Sequence, residues 1–327
     1  MAKRDPVKEG LSRLAELESM GIGMDESASA YLRLCLKSKH GALAARAARI
    51  ISSNRIAGFR LDLESVFFRC CDAPEQDPGC VAKMAVVDAL NDLDYDAADL
   101  FLKGIRYVQL EPVWGKSVDT AGGLRVKCAG GLIRLNYPGV SFLLTDLLVD
   151  PQPEARMGAA RALAHLGRHE CELVLRLKVL QGGDEPEVIA ECLSALSTFD
   201  SDETLPFLRR ILHGGNRDVW PGAALALGET RSPEAVAMLS DFWSTLPRSA
   251  ERFGLLLPIA LTRTEEGIAF LLDVIEREAA ELAIESIRAL EAVGMLEASA
   301  EPVRERVGLR GDDKVTDAFR RLYDGLP

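Results

Sequence analysis

A small residue followed by leucine returns along most of this chain at nearly constant spacing. The pairs are Ala89-Leu90, Gly131-Leu132, Ala162-Leu163, Ala195-Leu196, Ala226-Leu227, Ala260-Leu261 and Ala289-Leu290. Successive leucines stand 42, 31, 33, 31, 34 and 29 residues apart, so five of the six intervals lie near one period. A unit of that length cannot bury both of its faces alone and needs stacked copies of itself. A degenerate earlier copy centres on Ile50-Ile51 in ALAARAARIISS.

Each anchor sits in a stretch with helical periodicity. In MGAARALAHLG, Ala159, Ala162, Leu163 and Leu166 fall on one helical face. A second apolar helix then follows a short polar turn, as in TLPFLRRIL, PEAVAMLSDFW and GIAFLLDVIE. Ser232 before Pro233 reads as an N-cap with proline at the first helical position. Asp200 with Glu203 predicts a capping box, and Gly167 and Gly228 suit the left-handed position after a helix. Gly182-Gly183 and Gly214-Gly215 punctuate the return to the next pair. Alanine or glycine before each leucine fits a close helix–helix approach that a larger side chain would prevent.

These signals predict an all-α chain, an α-solenoid of about seven to eight stacked antiparallel helix pairs. Residues 1–38 are expected to form an N-terminal helical cap, 39–312 the repeat solenoid and 313–327 a C-terminal capping helix. The 42-residue interval leaves about ten extra residues, assigned to LEPVWGKSVDTAGG at 110–123. Pro112, Gly115, Gly122 and Gly123 make that stretch a predicted loop. Pro258 within LLLPIAL predicts a kink.

Composition narrows the function classes. An apolar share of 48% with 27% charged residues excludes wholesale disorder. No run approaches the 18 or so apolar residues of a membrane span. A net charge of −11 works against general nucleic-acid binding, which needs surplus cations. Seven cysteines without a CxxC pair, and a start (MAKRDPVKEG) lacking an apolar segment, lead to the expectation of a reduced, cytoplasmic protein.

Chemistry-bearing motifs are sparse. There is no phosphate loop, dinucleotide fingerprint, nucleophile elbow or HExxH helix. Asp92, Asp94 and Asp96 mimic the first ligands of an EF-hand, but Ala97 and Lys103 occupy its glycine and glutamate positions. His165, His169 and Cys171 lack a fourth ligand, and Cys70-Cys71 and Cys80 lack basic neighbours beyond Arg69. Cys128 and Cys192, four residues before their anchors, read as core. No catalytic residue, metal or cofactor is therefore assigned.

The position seven before each anchor holds Lys83, Arg125, Arg156, Ile189, Trp220, Gly254 and Ala283. The cations there form either a strip facing an acidic partner or a phosphate, or a ladder paired with acidic turn residues of neighbouring repeats. Lys83, Arg125, Arg156, Trp220 and Trp114 are the candidate partner-binding residues. Trp114 is either an exposed recognition residue or a plug folded into a seam between repeats.

The stretches ARMGAARALAHLG, VIAECLSALS and WPGAALALGETRSPEAVAML resemble the HEAT-like repeats of the phycobilisome-lyase type, approximately V-R-x-x-A-A-x-A-L-G, over about residues 79–298. The resemblance implies the solenoid fold. It is shared by scaffolds, adaptors, a few chromophore lyases and some DNA glycosylases. The expected function is a non-catalytic scaffold or adaptor holding a protein or peptide partner on its concave face. The resemblance also implies two alternatives. One is a chromophore-lyase-like enzyme, to which Trp114, Trp220, Tyr107 and Asp119 would contribute; the other is a HEAT-like glycosylase, against which the acidic charge stands. The oligomeric state is left open.

Overall fold

Alanine-rich helices can lie closer together than leucine-rich ones, and the helices of this chain pack as two layers within each compact unit. The computed structural model describes residues 6–19, 26–247 and 250–323. It divides into two compact units, residues 1–162 and 163–327. In the first, helices α1 (Pro6–Ser19), α3 (Gly41–Ser53), α5 (Val81–Asp92) and α7 (Gly122–Arg134) contact one another in succession. Their partners α2 (Glu26–Leu36), α4 (Arg60–Asp72), α6 (Ala98–Gly104) and α8 (Val140–Leu147) form the second layer. Two short strands lie between α6 and α7. The unit boundary falls within α9 (Pro153–Leu166).

The second unit continues with α10 (His169–Gln181). Its first layer is α11 (Pro186–Ser197), α13 (Trp220–Glu229), α15 (Phe253–Leu261), α17 (Ala280–Ala292) and α19 (Asp313–Tyr323), each against the next. Its second layer is α12 (Thr204–Leu212), α14 (Pro233–Thr245), α16 (Glu265–Arg277) and α18 (Leu296–Arg310). Each unit is thus built of stacked helix pairs, and the fold is an all-α solenoid.

Six of the seven anchor leucines are buried, as are Ile50 and Ile51 of the degenerate copy. Leu261, the last residue of α15, is half-buried. Close approach explains the small residues. A Cβ on Gly131 would stand 2.5 Å from the Phe101 ring, and one on Gly228 would stand 2.3 Å from the carbonyl oxygen of Pro258. Gly228 therefore lies inside α13, as the contact point for α15, and not after the helix as expected. The left-handed residue there is Arg231. Gly167 does adopt the left-handed conformation expected of it.

Caps follow the same pattern of agreement and difference. Ser232 Oγ accepts the Ala235 N–H at 3.1 Å, with Pro233 opening α14. The Asp200–Glu203 box does not form. Here α12 begins at Thr204, and Ser201 Oγ takes the Glu203 N–H instead. Several arginines do a different terminal job, donating to carbonyls at the ends of neighbouring helices. Arg69 reaches the Leu36 carbonyl at 2.6 Å, and Arg310 reaches those of Ile275 and Glu278.

Candidate functional site

The extra residues before α7 form a β-hairpin rather than a loop. Strand β1 (Leu110–Val113) pairs antiparallel with β2 (Lys116–Asp119), Leu110 opposite Asp119 and Val113 opposite Lys116. Trp114 and Gly115 make the two-residue turn, with φ of +45° and +82°. Positive φ at both residues is the mirror-image turn that matches strand twist. Gly122 and Gly123, expected in the loop, open α7. The Thr120 N–H donates to the Gln109 carbonyl at 2.9 Å. Alternation along an antiparallel pair then turns the backbone of residues 110 and 112 to the outer edge of β1. Proline at 112 has no N–H to offer there, so the edge is blunted against addition of a strand.

The hairpin root is held by buried charge. Arg125, on the first turn of α7, donates to Asp119 at 2.8 Å, Asp150 at 2.7 Å and the Tyr107 carbonyl at 2.8 Å. Burial alone would raise the pKa of Asp119. The backbone N–H groups of Ala121 and Gln109 and the Arg125 guanidinium outweigh it and hold the carboxyl below its ordinary range. A second cluster lies beside it. Asp77 accepts the Ala82 and Lys83 N–H groups at the start of α5 and pairs with Lys83 Nζ at 3.0 Å. Lys83 Nζ also donates to the Cys70 carbonyl at 3.2 Å. Gln109 bridges the two clusters, its backbone N–H donating to Asp119 at 3.0 Å and its Nε2 to the Asp77 carbonyl at 2.9 Å, and Nε2 also donates to Glu111 Oε1 at 2.6 Å. Glu111 Oε1 also accepts the Gly79 N–H at 2.7 Å and the Thr120 hydroxyl at 3.2 Å. With the Gln109 amide foremost, these donors lower the Glu111 pKa.

The five candidate residues separate into two groups. Lys83 is 0% exposed, Arg125 3% and Arg156 9%. Arg156 donates to the Asp150 and Pro151 carbonyls at 2.6 and 3.1 Å. These cations are struts within the chain, and Lys83 and Arg125 have almost no solvent face through which to reach a partner. Trp220, half-buried at the start of α13, lies 5.4 Å from the Phe242 ring and against Gly254. Trp114 is 100% exposed at the hairpin tip, not folded into a seam. Val113, Val118 and Leu110 are exposed beneath it.

Spacing could have revealed the burial of the cations. Seven residues are about two helical turns, so the position seven before a buried leucine lies on the same buried face. Sequence reasoning also missed Asp77, Gln109 and Glu111, which sit in short 3-10 or extended segments without periodicity.

A groove of about 380 Å³ runs beside β1, lined by Pro74, Glu75, Pro78, Gln109, Leu110, Glu111 and Pro112. Burial pushes the Cys71 and Cys80 thiols up to about 11 and Cys192 to about 12, so none is a ready thiolate. Cys171 is buried, and His169 stands 3.6 Å from Glu172. Tyr107 and Asp119 are engaged in the root described above. Among the described residues no three His, Cys, Asp or Glu side chains are gathered as a metal site, and no helix is long and apolar enough to cross a membrane.

A family model described as HEAT repeats matches residues 173–253. No curated protein matches the sequence. Solved structures that align include an engineered protein, at 17% identity over 99% of this chain and 96% of its own, with a TM-score of 0.38. Another is the CpcE–CpcF complex of phycocyanin lyase from Nostoc sp. PCC7120, at 15% identity over 94% of this chain and 97% of its own, with a TM-score of 0.37.

Proposed function

We propose that this chain, a HEAT-like repeat protein, is a non-catalytic interaction scaffold that grips a protein partner through the 110–119 hairpin, with Trp114 as the leading contact. The observation that carries this reading is Trp114 itself. Its side chain is wholly exposed, so it contributes no packing to the fold. Its φ of +45° is a conformation that costs a non-glycine residue about 1–2 kcal/mol. Asparagine or glycine would suit the turn better. A residue that serves neither core nor turn, held on a hairpin with a rigid root, has the character of an interface anchor. Burying an indole of roughly 150–250 Å² in a partner cleft is worth about 4–6 kcal/mol before ordering costs.

Photo-crosslinking tests the idea. A benzophenone amino acid at position 114 should trap a discrete protein partner in native extract, identifiable by mass spectrometry. The purified partner should then lose roughly thirtyfold or more in affinity for the Trp114→Ala chain, the loss expected of a hot spot. Unchanged affinity for that variant would refute the reading.

A further inference from the structure

We infer that the groove beside β1 receives the guanidinium of an arginine side chain, presented by the same partner that covers Trp114. The inference extends the interaction reading above, but it stands on separate atoms. The groove has apolar walls made by Pro74, Pro78, Pro112 and Leu110. Two acidic residues, Glu75 and Glu111, are also among its lining. The three internal donors to Glu111 all engage Oε1, from Gly79, Gln109 and Thr120. Oε2 has no hydrogen-bond partner among the described residues and is not buried away from solvent. Glu75 is exposed, and no side chain of the described residues pairs with it.

The surroundings select the ligand. An anion would meet two negative charges. An aliphatic side chain would strip water from Glu111 Oε2 and return no hydrogen bond. An extended backbone adds poorly to β1, because Pro112 lacks an N–H on that edge. A guanidinium satisfies each constraint at once. It is flat and weakly hydrated, so it lies against proline rings, and its fork of N–H groups reaches two acceptors. An ammonium carries the charge on a single, strongly hydrated point, which suits a walled groove less well.

The test uses the full chain and small blocked amino acids. Nα-acetyl-arginine amide is titrated while backbone amide resonances are followed by NMR, with the citrulline and lysine analogues as comparisons. Saturable shifts are expected at residues 75–77 and 109–111 with arginine, none with neutral citrulline, and weaker binding with lysine. Glu75→Gln, on an exposed side chain that leaves the fold intact, should weaken arginine binding roughly three- to tenfold. Glu111→Gln keeps Oε1 and should do the same. Equal shifts with arginine and citrulline, equal affinity for lysine, or shifts located elsewhere would each overturn the inference. Trp114→Ala should leave the titration unchanged. Failure of arginine binding is thereby separable from failure of the indole contact, which is read only with the purified partner.

Discussion

Arg125→Met keeps most of the buried aliphatic volume of Arg125 and removes its charge. The guanidinium holds two carboxylates and a carbonyl at 2.7–2.8 Å while only 3% exposed. Removing one member of a buried pair leaves the other charge uncompensated, at a cost of about 3–5 kcal/mol. The lower end applies here. Asp119 keeps the Ala121 and Gln109 N–H groups and Asp150 keeps that of Gln152, while Arg125 Nε is itself buried without a partner. About 3 kcal/mol is roughly a hundredfold in an opening equilibrium. Hydrogen exchange followed by mass spectrometry should therefore show protection over residues 107–125 falling by about that factor, with α3 much less affected. Lys127→Met is the control, because the Lys127–Asp88 pair is 37% and 48% exposed and such pairs contribute at most about 1 kcal/mol. Adding Asp119→Asn and Asp150→Asn to Arg125→Met should restore much of the loss. If Arg125→Met costs no more than the Lys127 control, the root is not held by buried charge and the reasoning fails.

Two adjacent glycines of α7 should respond with opposite signs to alanine. Gly131→Ala places a methyl 2.5 Å from the Phe101 ring and should destabilise by about 1–3 kcal/mol, while Gly130→Ala meets nothing within 4 Å and should stabilise by up to about 1 kcal/mol; urea denaturation distinguishes them. Asp119 and Glu111 both titrate below their ordinary values in the folded chain. Their contribution is fully present above the unfolded pKa values of about 3.9 and 4.3 and is lost as pH falls through the lowered ones. Protection of residues 109–121, corrected for intrinsic exchange, should thus decline below about pH 4 ahead of α3 and α5; a uniform decline would argue otherwise. Trp114→Ala should leave the urea midpoint within about 0.5 kcal/mol of the parent, or raise it slightly.

The repeat was legible because a buried leucine beside a small residue is a packing requirement that recurs with each module. Ile50 and Ile51 were found for the same reason, although their copy is degenerate. Leu261 departs at the end of α15, three residues beyond the interior Pro258. The hairpin was hidden because each strand has four residues, too few to show alternation, and its turn carries Trp-Gly in place of Asn-Gly. The capping box at Asp200 and Glu203 failed on a boundary shift, the least secure element of any sequence reading. Lys83, Arg125 and Arg156 were visible as a periodic set, but their charge drew attention to solvent while their spacing placed them inward. The carboxylates that pair with Lys83 and Arg125 come from turns and from the end of β2, which no periodicity links to them.

The hydrogen bonds and ion pairs described above tie the hairpin to the neighbouring segments at its base, where Gln109 reaches Asp77, Glu111 reaches Gly79 and Asp119 reaches Arg125. Residues 112–117 supply none of the ion pairs or side-chain hydrogen bonds described for that base. If the tip is the contact proposed above, its residues could be exchanged like a cassette while the helices beneath keep their geometry. On the interaction reading proposed above, recognition and architecture would be separable in this chain, and a changed specificity would not require a refolded core.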